Sequence, residues 1–519
     1  MTPISRRIIG LLVAAAAFHA APLGAQASRL GTIRFPNSGA KAAQEPFLRG
    51  VLLLHSFEYS DAAASFREAQ RADPGFALAY WGEAMTHTHP VWNEQDLEAA
   101  RAVLARLAPS ADARKARVRA PREGGYLEAA EILYGEGPKA RRDTLYSQAM
   151  ERLAAANPRD LEAQTFHALS LLGLSQGVRN VPTYMRAGAI ASAVFDGSPD
   201  HPGAAHYVIH AFDDAVHAPL GLRAAGAYSK IAPGADHAQH MTSHIFLGLG
   251  MWNETVAANE TALGPARGTW PPGHYSAWLG YGLLQQGRLA EARKLLETAR
   301  SNLGSPARTP RRAYLASMRA HYLVNSGRWD DPVTRWRLDL NGVDATAQSL
   351  DAFGLGLAAL RRGERAEAQR FLGALVGWGR SGGGAGVPPI LEKELRALLH
   401  LADGREDESV ALLREAGVLE DALVLEYGPP DVVKPSHELL GEVLLQLGRP
   451  AEAQREFARA LELSPRRALS LLGLARAAAS AGDRQTVERA YADLRGVWRR
   501  ADPDLPGLDE VGARVSWAE

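Results

Sequence analysis

The sequence predicts an all-α protein, a right-handed solenoid of antiparallel helix pairs. Alanine- and leucine-rich segments carry apolar residues three and four positions apart, which is the spacing of one helix face. Short glycine turns such as Gly287-Arg288, Gly363-Glu364 and Gly448-Arg449 separate these segments. A ladder of small, large apolar and proline residues recurs along the chain, and almost no stretch alternates as a strand would. Together these observations favour stacked helical repeats.

The clearest repeat unit lies near the C-terminus. Its residues are Leu440, Gly441, Leu444, Ala453, Phe457, Ala460 and Pro465, at the spacings of the tetratricopeptide consensus. Small residues at Gly441 and Ala453 let two helices approach closely, and Phe457 fills the space between them. The same ladder recurs at Gly50, Ala62, Phe66, Ala69 and Pro74, and more weakly at Gly280, Ala292, Leu296 and Ala299. The predicted solenoid is therefore of the tetratricopeptide type.

Two stretches interrupt the helical pattern. Residues 301–312 contain two prolines, and residues 377–389 are rich in glycine. We expect 377–389 to be a linker or loop between an N-terminal solenoid, residues 28–376, and a C-terminal solenoid, residues 390–519. A surface loop inside one continuous superhelix is the equal alternative, because each solenoid repeat packs only on its neighbours and length does not fix the number of domains.

Residues 1–27 predict a cleaved export signal. Ser5-Arg6-Arg7 precedes the apolar run from Ile8 to Phe18, and Ala25-Gln26-Ala27 supplies a small-residue cleavage site. The apolar run is too short to span a bilayer. We therefore expect an exported protein, periplasmic or secreted, without a membrane span. The two arginines are also similar to a twin-arginine signal, which exports proteins already folded around a cofactor.

Composition excludes several classes of function. Acidic and basic residues balance at 58 each, so no general attraction to nucleic acid or anionic lipid is expected. The absence of cysteine excludes disulfides, thiolate metal sites and a cysteine nucleophile. The sequence also lacks a phosphate-binding glycine loop, a nucleotide fingerprint, a nucleophile elbow and a metalloprotease helix motif. Histidine is the residue type that remains with chemical content.

Two histidine pairs stand in register with the repeat. His206 and His210 are four residues apart, as are His240 and His244, and the pairs are separated by 34 residues, the length of one tetratricopeptide unit. Equivalent positions of adjacent repeats then carry His-x-x-x-His on first helices that line the concave groove. Such helices lie about 10 Å apart, which lets four imidazoles converge. The quartet predicts a metal site more strongly than a structural role.

Other polar residues are weaker candidates for the same site. The further predicted ligands are His237, His201, His87, His89, His55 and Asp213. Glu58, Glu83 and Asp214 are close enough in sequence to serve as ligands or as acceptors for an imidazole N–H. His274 and His321 have no histidine four residues on, so a structural role is favoured for both. His167, His400 and His437 are expected to be ordinary surface or core residues.

The donor type narrows the metal and leaves two functions open. Several imidazoles without thiolate suit copper, zinc, nickel or iron, whereas calcium and magnesium prefer oxygen, so copper or zinc is the expected cofactor. The first function is a binding scaffold whose groove holds the metal, with a peptide or protein partner in the groove as the main competing explanation for the histidines. The second is a metalloenzyme with an open coordination position. Solenoids usually bind, which favours the scaffold.

Long histidine motifs carry a family resemblance. They are residues 201–213, HPGAAHYVIHAFD, and residues 237–246, HAQHMTSHIF, followed by Leu249-Gly250-Met251-Trp252, with residues 79–90 as an earlier segment. The sequence resembles a family of bacterial exported tetratricopeptide-repeat proteins of uncharacterised activity. That resemblance implies helical repeats and export, and it carries no enzymatic activity over to this chain. Members commonly show Met-Pro-Ser-His where this chain has Met241-Thr242-Ser243-His244.

Overall fold

The structure, a computed structural model, describes residues 29–175, 179–383, 385–424 and 427–513. The α-helices in these ranges are α1 (Lys41–His55), α2 (Tyr59–Ala72), α3 (Ala77–Met85), α4 (Leu97–Leu107), α5 (Ala111–Lys115), α6 (Pro121–Leu133), α7 (Lys139–Ala156), α8 (Leu161–Leu172), α9 (Val181–Gly197), α10 (Pro202–Phe212), α11 (Ala218–Ile231), α12 (Asp236–Gly248), α13 (Trp252–Leu263), α14 (His274–Gln285), α15 (Leu289–Ser301), α16 (Thr309–Ser326), α17 (Ala345–Arg361), α18 (Arg365–Ser381), α19 (Val387–Ala402), α20 (Glu406–Asp421), α21 (Ser436–Gln446), α22 (Pro450–Leu463), α23 (Ala468–Ala481), α24 (Arg484–Val497) and α25 (Leu508–Ala513). Two short strands, β1 (Thr88–His89) and β2 (Glu94–Gln95), pair antiparallel. The all-α prediction is confirmed.

The helices form antiparallel pairs because each buries an apolar face against its neighbour. In α22, Ala453, Phe457 and Ala460 are the buried residues, at the spacing of one helix face. A Cβ placed on Gly441 would lie 3.0 Å from the Phe457 ring, so only glycine permits this approach of α21 to α22. Gly50 and Phe66 repeat this contact between α1 and α2, with the corresponding distance at 2.8 Å. The predicted consensus positions therefore make the predicted contacts.

Successive helices pack on one another along the whole described chain, which makes the architecture a solenoid. Helices α8, α10 and α12 are neighbours on one layer of the stack, and α10 also contacts α1. Buried apolar residues from Leu30 to Ile245 form one core cluster, and those from Leu247 to Val511 form most of two others. The contact of α1 with α10 brings the first repeat against the helix that carries the first histidine pair.

The predicted linker is mostly helical. Residues 377–381 belong to the end of α18, and residues 387–389 open α19, so only a short loop separates the two helices. Prolines at positions 388 and 389 suit the first turn of a helix, where a missing N–H costs no hydrogen bond. Leu375 and Val387, on either side of the loop, belong to one core cluster. Helix packing thus continues across this run, and a division of the chain into two solenoids there stays a prediction.

The last repeats pack back onto the middle of the chain. The indole N–H of Trp252 donates to the carbonyl of Arg466 at 2.9 Å, and the indole N–H of Trp498 donates to the carbonyl of Gln285 at 3.2 Å. These contacts join α13 and α14 to the C-terminal helices. The predicted export signal lies outside the described residues. Among the residues that are described, no helix has the length and apolar character needed to cross a membrane.

Candidate metal centre

Three successive helices bring six histidines together. Helix α10 carries His206 and His210, α12 carries His237, His240 and His244, and α14 begins with His274. We call His206, His210 and His237 the first triad, and His240, His244 and His274 the second triad. Within each triad, one nitrogen from every ring lies within 4.8 Å of the others. All of these side chains are buried except that of His274, which is half-buried.

In the first triad, one ring nitrogen of each histidine has a polar neighbour and the other has none. The Nδ1 neighbours are the His55 carbonyl at 2.6 Å from His206, Asp213 Oδ2 at 3.5 Å from His210, and the Tyr275 hydroxyl at 3.4 Å from His237. The three Nε2 atoms are buried and make no hydrogen bond. Buried polar atoms are rarely left unpaired, so these three nitrogens mark a place where a partner is required.

The second triad follows the same rule for Nδ1. The Nδ1 neighbours are Asn259 Oδ1 at 2.7 Å from His240, Asp213 Oδ2 at 3.0 Å from His244, and the Tyr314 hydroxyl at 3.2 Å from His274. The amide nitrogen of Asn259 donates to the Thr255 carbonyl at 2.8 Å, so its oxygen is the atom that accepts from His240. The proton of neutral His240 is therefore on Nδ1.

Two lone pairs face each other in the second triad. The Nε2 atoms of His240 and His244 are 3.1 Å apart. Asn259 and the Asp213 carboxylate both accept from Nδ1–H, so neither imidazole has a proton on Nε2 while it is neutral. Two nitrogen lone pairs at that distance repel unless a cation lies between them. The pair is arranged as two neighbouring ligands of one ion would be.

Electrostatics keep these histidines neutral, which is the form that binds metal. Burial lowers the pKa of His206, His237 and His240 well below the ordinary value, and the neighbouring imidazoles lower it further. Burial also lowers the pKa of His244 to about 4 and that of His274 to about 3. No proton therefore competes for these nitrogens near pH 7.

Asp213 connects the two triads. Its Oδ2 lies 3.0 Å from Nδ1 of His244 and 3.5 Å from Nδ1 of His210, while its Oδ1 accepts from Arg179 Nη1 at 2.5 Å. Burial raises the pKa of this carboxyl, but Arg179 and the two histidines lower it by more, so the pKa lies far below its usual range. A permanent carboxylate thus orients one ligand of each triad. Asp214 instead binds Arg179 and His217.

His55 and His201 form a separate group around Glu162. Glu162 Oε2 lies 2.7 Å from His55 Nε2, and Oε1 lies 3.2 Å from His201 Nε2. Nδ1 of His201 accepts from the Ala204 N–H at the start of α10, so the proton of neutral His201 is on Nε2. That nitrogen cannot also be a metal ligand. The hydrogen bonds make this group a support for His55, whose carbonyl holds His206.

The remaining predicted residues lie outside the two triads. His89 stacks on Tyr59 with ring centroids 4.0 Å apart, beside β1, and His87 is half-buried in the same segment. The Glu83 carboxylate is bound by Arg67, Gln70 and Arg106, so it is not available to the histidines. Glu58 accepts from the backbone N–H of His237 at 3.1 Å and so holds the start of α12.

The structure adds His274, for which the sequence favoured a structural role. Its usable signal is the repeat period, since His206, His240 and His274 are each 34 residues apart. The structure also adds Asn259, Tyr275, Tyr314 and Glu162, which position imidazoles from other helices. None of these four stands at a repeat spacing that singles it out.

A cavity of ≈ 520 Å³ adjoins both triads. Its lining includes His237 from the first triad and His274 from the second, together with the aromatic rings of Phe57, Trp92 and Tyr275. Ligand-binding clefts are commonly of this size and apolar character. A small molecule in the cavity would contact one histidine of each triad.

Comparison with known proteins agrees with the repeat architecture. Residues 435–467 match the family model described as "Tetratricopeptide repeat". The chain contains a tetratricopeptide repeat. The matched segment covers α21 and α22, the unit with the full consensus ladder. No curated protein matches the sequence.

Solved helical structures are similar only distantly. The APC/C hetero-tetramer Cut9-Hcn1 is 14% identical, with 86% of this chain and 78% of that chain covered and a TM-score of 0.34. Yeast Tom70 is 13% identical, with 92% and 95% covered and a TM-score of 0.27. The human IFIT1 dimer with m7Gppp-AAAA is 12% identical, with 96% and 94% covered and a TM-score of 0.34. At such TM-scores, the assignment rests on the helix pairs of the tetratricopeptide chain itself.

Proposed function

We propose that this tetratricopeptide-repeat protein is a metalloprotein that binds two transition-metal ions, one in each histidine triad. Repeat helices hold the ligands, and the acceptors at Nδ1 fix the orientation of each ring. Each ion receives three imidazole nitrogens from the protein, which leaves a coordination position for an exogenous ligand.

The lone-pair contact between His240 and His244 carries the proposal. Their Nε2 atoms lie 3.1 Å apart, and the protons of both rings are committed to acceptors at Nδ1. In the first triad, three further Nε2 atoms are buried without a partner. One cation in each triad removes the repulsion and satisfies all of these nitrogens, which is the stated physical reason for two ions.

The donor set favours copper, with zinc as the other candidate. The inner ligands are six neutral imidazoles, and the Asp213 carboxylate acts on their Nδ1 side. Imidazole ligation suits both metals, and nitrogen sites bind copper(II) more tightly than zinc in the ordinary affinity order. Nickel and iron are less favoured because no carboxylate completes either triad.

A groove that binds a peptide through these histidines is less well supported. His206 and His240 are 0% exposed, so a peptide cannot reach them without unpacking α10 and α12. A metal ion is small enough to occupy the space between the rings. A protein partner elsewhere on the repeat surface stays part of the proposal, because repeat solenoids usually act as binding scaffolds.

The metal content of the full chain tests the proposal. The protein is purified without a histidine tag or chelator, loaded separately with copper and with zinc, and assayed by elemental mass spectrometry. We expect two ions per chain, one in H206A, one in H274A and none in the double variant. His321 is a matched control because it is a buried histidine on α16 outside both triads, so H321A should keep two ions.

The contrary outcomes are distinct. Failure of folded wild-type protein to bind either metal overturns the proposal. Equal metal content in H206A, H274A and H321A, with circular dichroism showing that all are folded, places the ions elsewhere. Addition of azide to the copper form then separates the two functions: a charge-transfer band shows an open position suited to catalysis, and an unchanged spectrum shows a closed structural site.

We also propose that the protein is exported before it acts. The support is the sequence of residues 1–27 alone, and these residues lie outside the described structure. Fractionation of cells that express the full chain tests this. Recovery of a chain beginning at Ser28 outside the cytoplasm agrees with export, and recovery of the full-length chain only in the cytoplasm contradicts it.

A further inference from the structure

The cavity beside the triads has walls made of aromatic rings. The rings of Phe57 and Tyr59 stack at 5.5 Å and 12°, and the Trp92 ring meets the Phe57 ring edge-on at 5.5 Å. Tyr275 and Tyr314 line the opposite part of the cavity. Trp92 is 40% exposed, which is unusual for so large an apolar side chain and leaves its ring free to contact a ligand.

The charge of the lining selects against anions. Glu94 is the carboxylate among the cavity residues, and no lysine or arginine lies with it. Aromatic faces attract cations and offer nothing to an anionic group. A molecule in the cavity is therefore expected to be neutral or positively charged.

The cavity is connected to the metal ligands through two tyrosines. The Tyr275 hydroxyl lies 3.4 Å from Nδ1 of His237, and the Tyr314 hydroxyl lies 3.2 Å from Nδ1 of His274. Both tyrosines and both histidines line the cavity. The histidines that face a bound molecule thus come from different triads, and a molecule with two neighbouring oxygen donors matches two metal ions that share one opening.

We propose that the cavity binds a catechol-type aromatic molecule, neutral or cationic, with its two hydroxyl oxygens directed at the two triads. The aromatic ring stacks among Phe57, Tyr59 and Trp92, and a positive group on the ligand lies near Glu94. This inference deepens the proposed function and rests on it for the oxygen donors. The contacts with the aromatic walls do not require a metal.

Binding to the zinc-loaded full chain tests the proposal, because zinc has no redox chemistry that would consume the ligand. Calorimetry compares dopamine, 4-methylcatechol, 3,4-dihydroxybenzoate and phenethylamine. We expect dopamine and 4-methylcatechol to bind about tenfold or more tightly than 3,4-dihydroxybenzoate, and dopamine to bind more tightly than phenethylamine. Removal of zinc should abolish the difference between dopamine and phenethylamine and leave weak binding of both.

Two variants and a control locate the site. W92A should weaken dopamine binding by about tenfold through loss of aromatic contact. E94Q should reduce the preference for dopamine over 4-methylcatechol by about threefold. L220A is the control, because Leu220 is an exposed apolar residue on α11 outside the cavity, and its binding should equal that of the wild type.

Three outcomes overturn the inference. Tightest binding by 3,4-dihydroxybenzoate refutes the charge argument, and equal effects of W92A and L220A refute the location. Equal affinities for dopamine and phenethylamine in protein shown to contain two zinc ions refute the catechol class while the metal sites stand. If zinc itself does not bind, the proposed function fails, and dopamine binding to wild-type and W92A protein still decides whether the cavity takes aromatic cations.

Discussion

The histidine triads and a charged cluster in the C-terminal repeats bury polar groups in opposite ways. In the cluster, the Glu438 carboxylate accepts from Arg467 Nε at 2.8 Å, Arg467 Nη2 at 3.0 Å and Lys434 Nζ at 3.0 Å, and from the Ser470 hydroxyl. Arg467 also donates to the Tyr281 hydroxyl at 3.0 Å. Every partner of this carboxylate is a donor from the protein.

The difference separates a structural network from a site. Around Glu438, charges of opposite sign lie together, and the carboxylate has no need of a ligand. In the triads, five buried Nε2 atoms have either no partner or only another lone pair. Both regions join neighbouring repeats, but only the triads leave donors that must be completed from outside. Substitutions should therefore change stability in one region and ligand content in the other.

The largest expected effect is on stability, from E438Q. The neutral amide leaves Arg467 and Lys434 with less negative charge in a buried position, so we expect the free energy of unfolding to fall by about 3–5 kcal/mol. Urea unfolding of the metal-free chain measures this. Elemental analysis of the folded variant should still give the wild-type metal content. Loss of metal without loss of stability would show that the two regions are not separate in the way described.

The second prediction concerns Asp213, whose Oδ2 serves both triads. D213N replaces a permanent carboxylate by an amide, and Arg179 retains Asp214 as a partner at 3.0 Å. We expect metal affinity to fall about 10–100-fold in both sites together, because second ligands of this kind orient the imidazole and raise its basicity. Competition with a chromophoric chelator measures the two affinities. A change confined to one site would contradict a shared role.

The third prediction concerns protons in the C-terminal half. Burial raises the pKa of Glu420 to about 7, although the Ser436 N–H donates to its carboxylate at 2.6 Å. The folded chain therefore binds a proton between about pH 4.5 and 7 that the unfolded chain has released. Stability from this group is greatest at low pH and falls as pH rises through that window.

E420Q removes this titration and keeps an acceptor for Ser436. At pH 8 the variant should be about 1–3 kcal/mol more stable than the wild type, and at pH 4.5 the two should be nearly equal. Urea unfolding of metal-free protein across this range measures the difference. His437 and Glu394 titrate in both proteins and cancel in the subtraction. A difference that does not depend on pH would contradict the assignment.

The sequence predicts the fold because the determinants of the repeat are local and periodic. Gly441 and Phe457 stand at consensus spacings, and the structure shows the helix contact that those spacings require. The convergence of His206 and His240 follows from the same 34-residue period. His274 also follows it, but the test for a second histidine four residues on excluded it, since Trp278 occupies that place.

The parts of the site that could not be predicted depend on tertiary packing. His55 and His89 are also 34 residues apart, yet His55 faces the Glu162 carboxylate and His89 lies in a short strand outside the helices. The acceptors Asn259 and Tyr314 come from helices with no histidine in register. A spacing rule identifies side chains on one helix face, but the partner of each ring nitrogen depends on side chains far away in sequence.

The smallest expected effect tests whether the Glu162 group supports only the first triad. Glu162 holds the ring of His55, and the carbonyl of His55 accepts from His206. E162Q keeps the size of the side chain but turns one acceptor into a donor, which misorients either His55 or His201. We expect the first site to lose less than about tenfold in metal affinity, because the ligand itself is two contacts away. The second site, whose acceptors are Asn259, Asp213 and Tyr314, should be unchanged. An equal loss at both sites would mean that the Glu162 group stabilises the whole helix layer, and the triads would then share more than the carboxylate of Asp213.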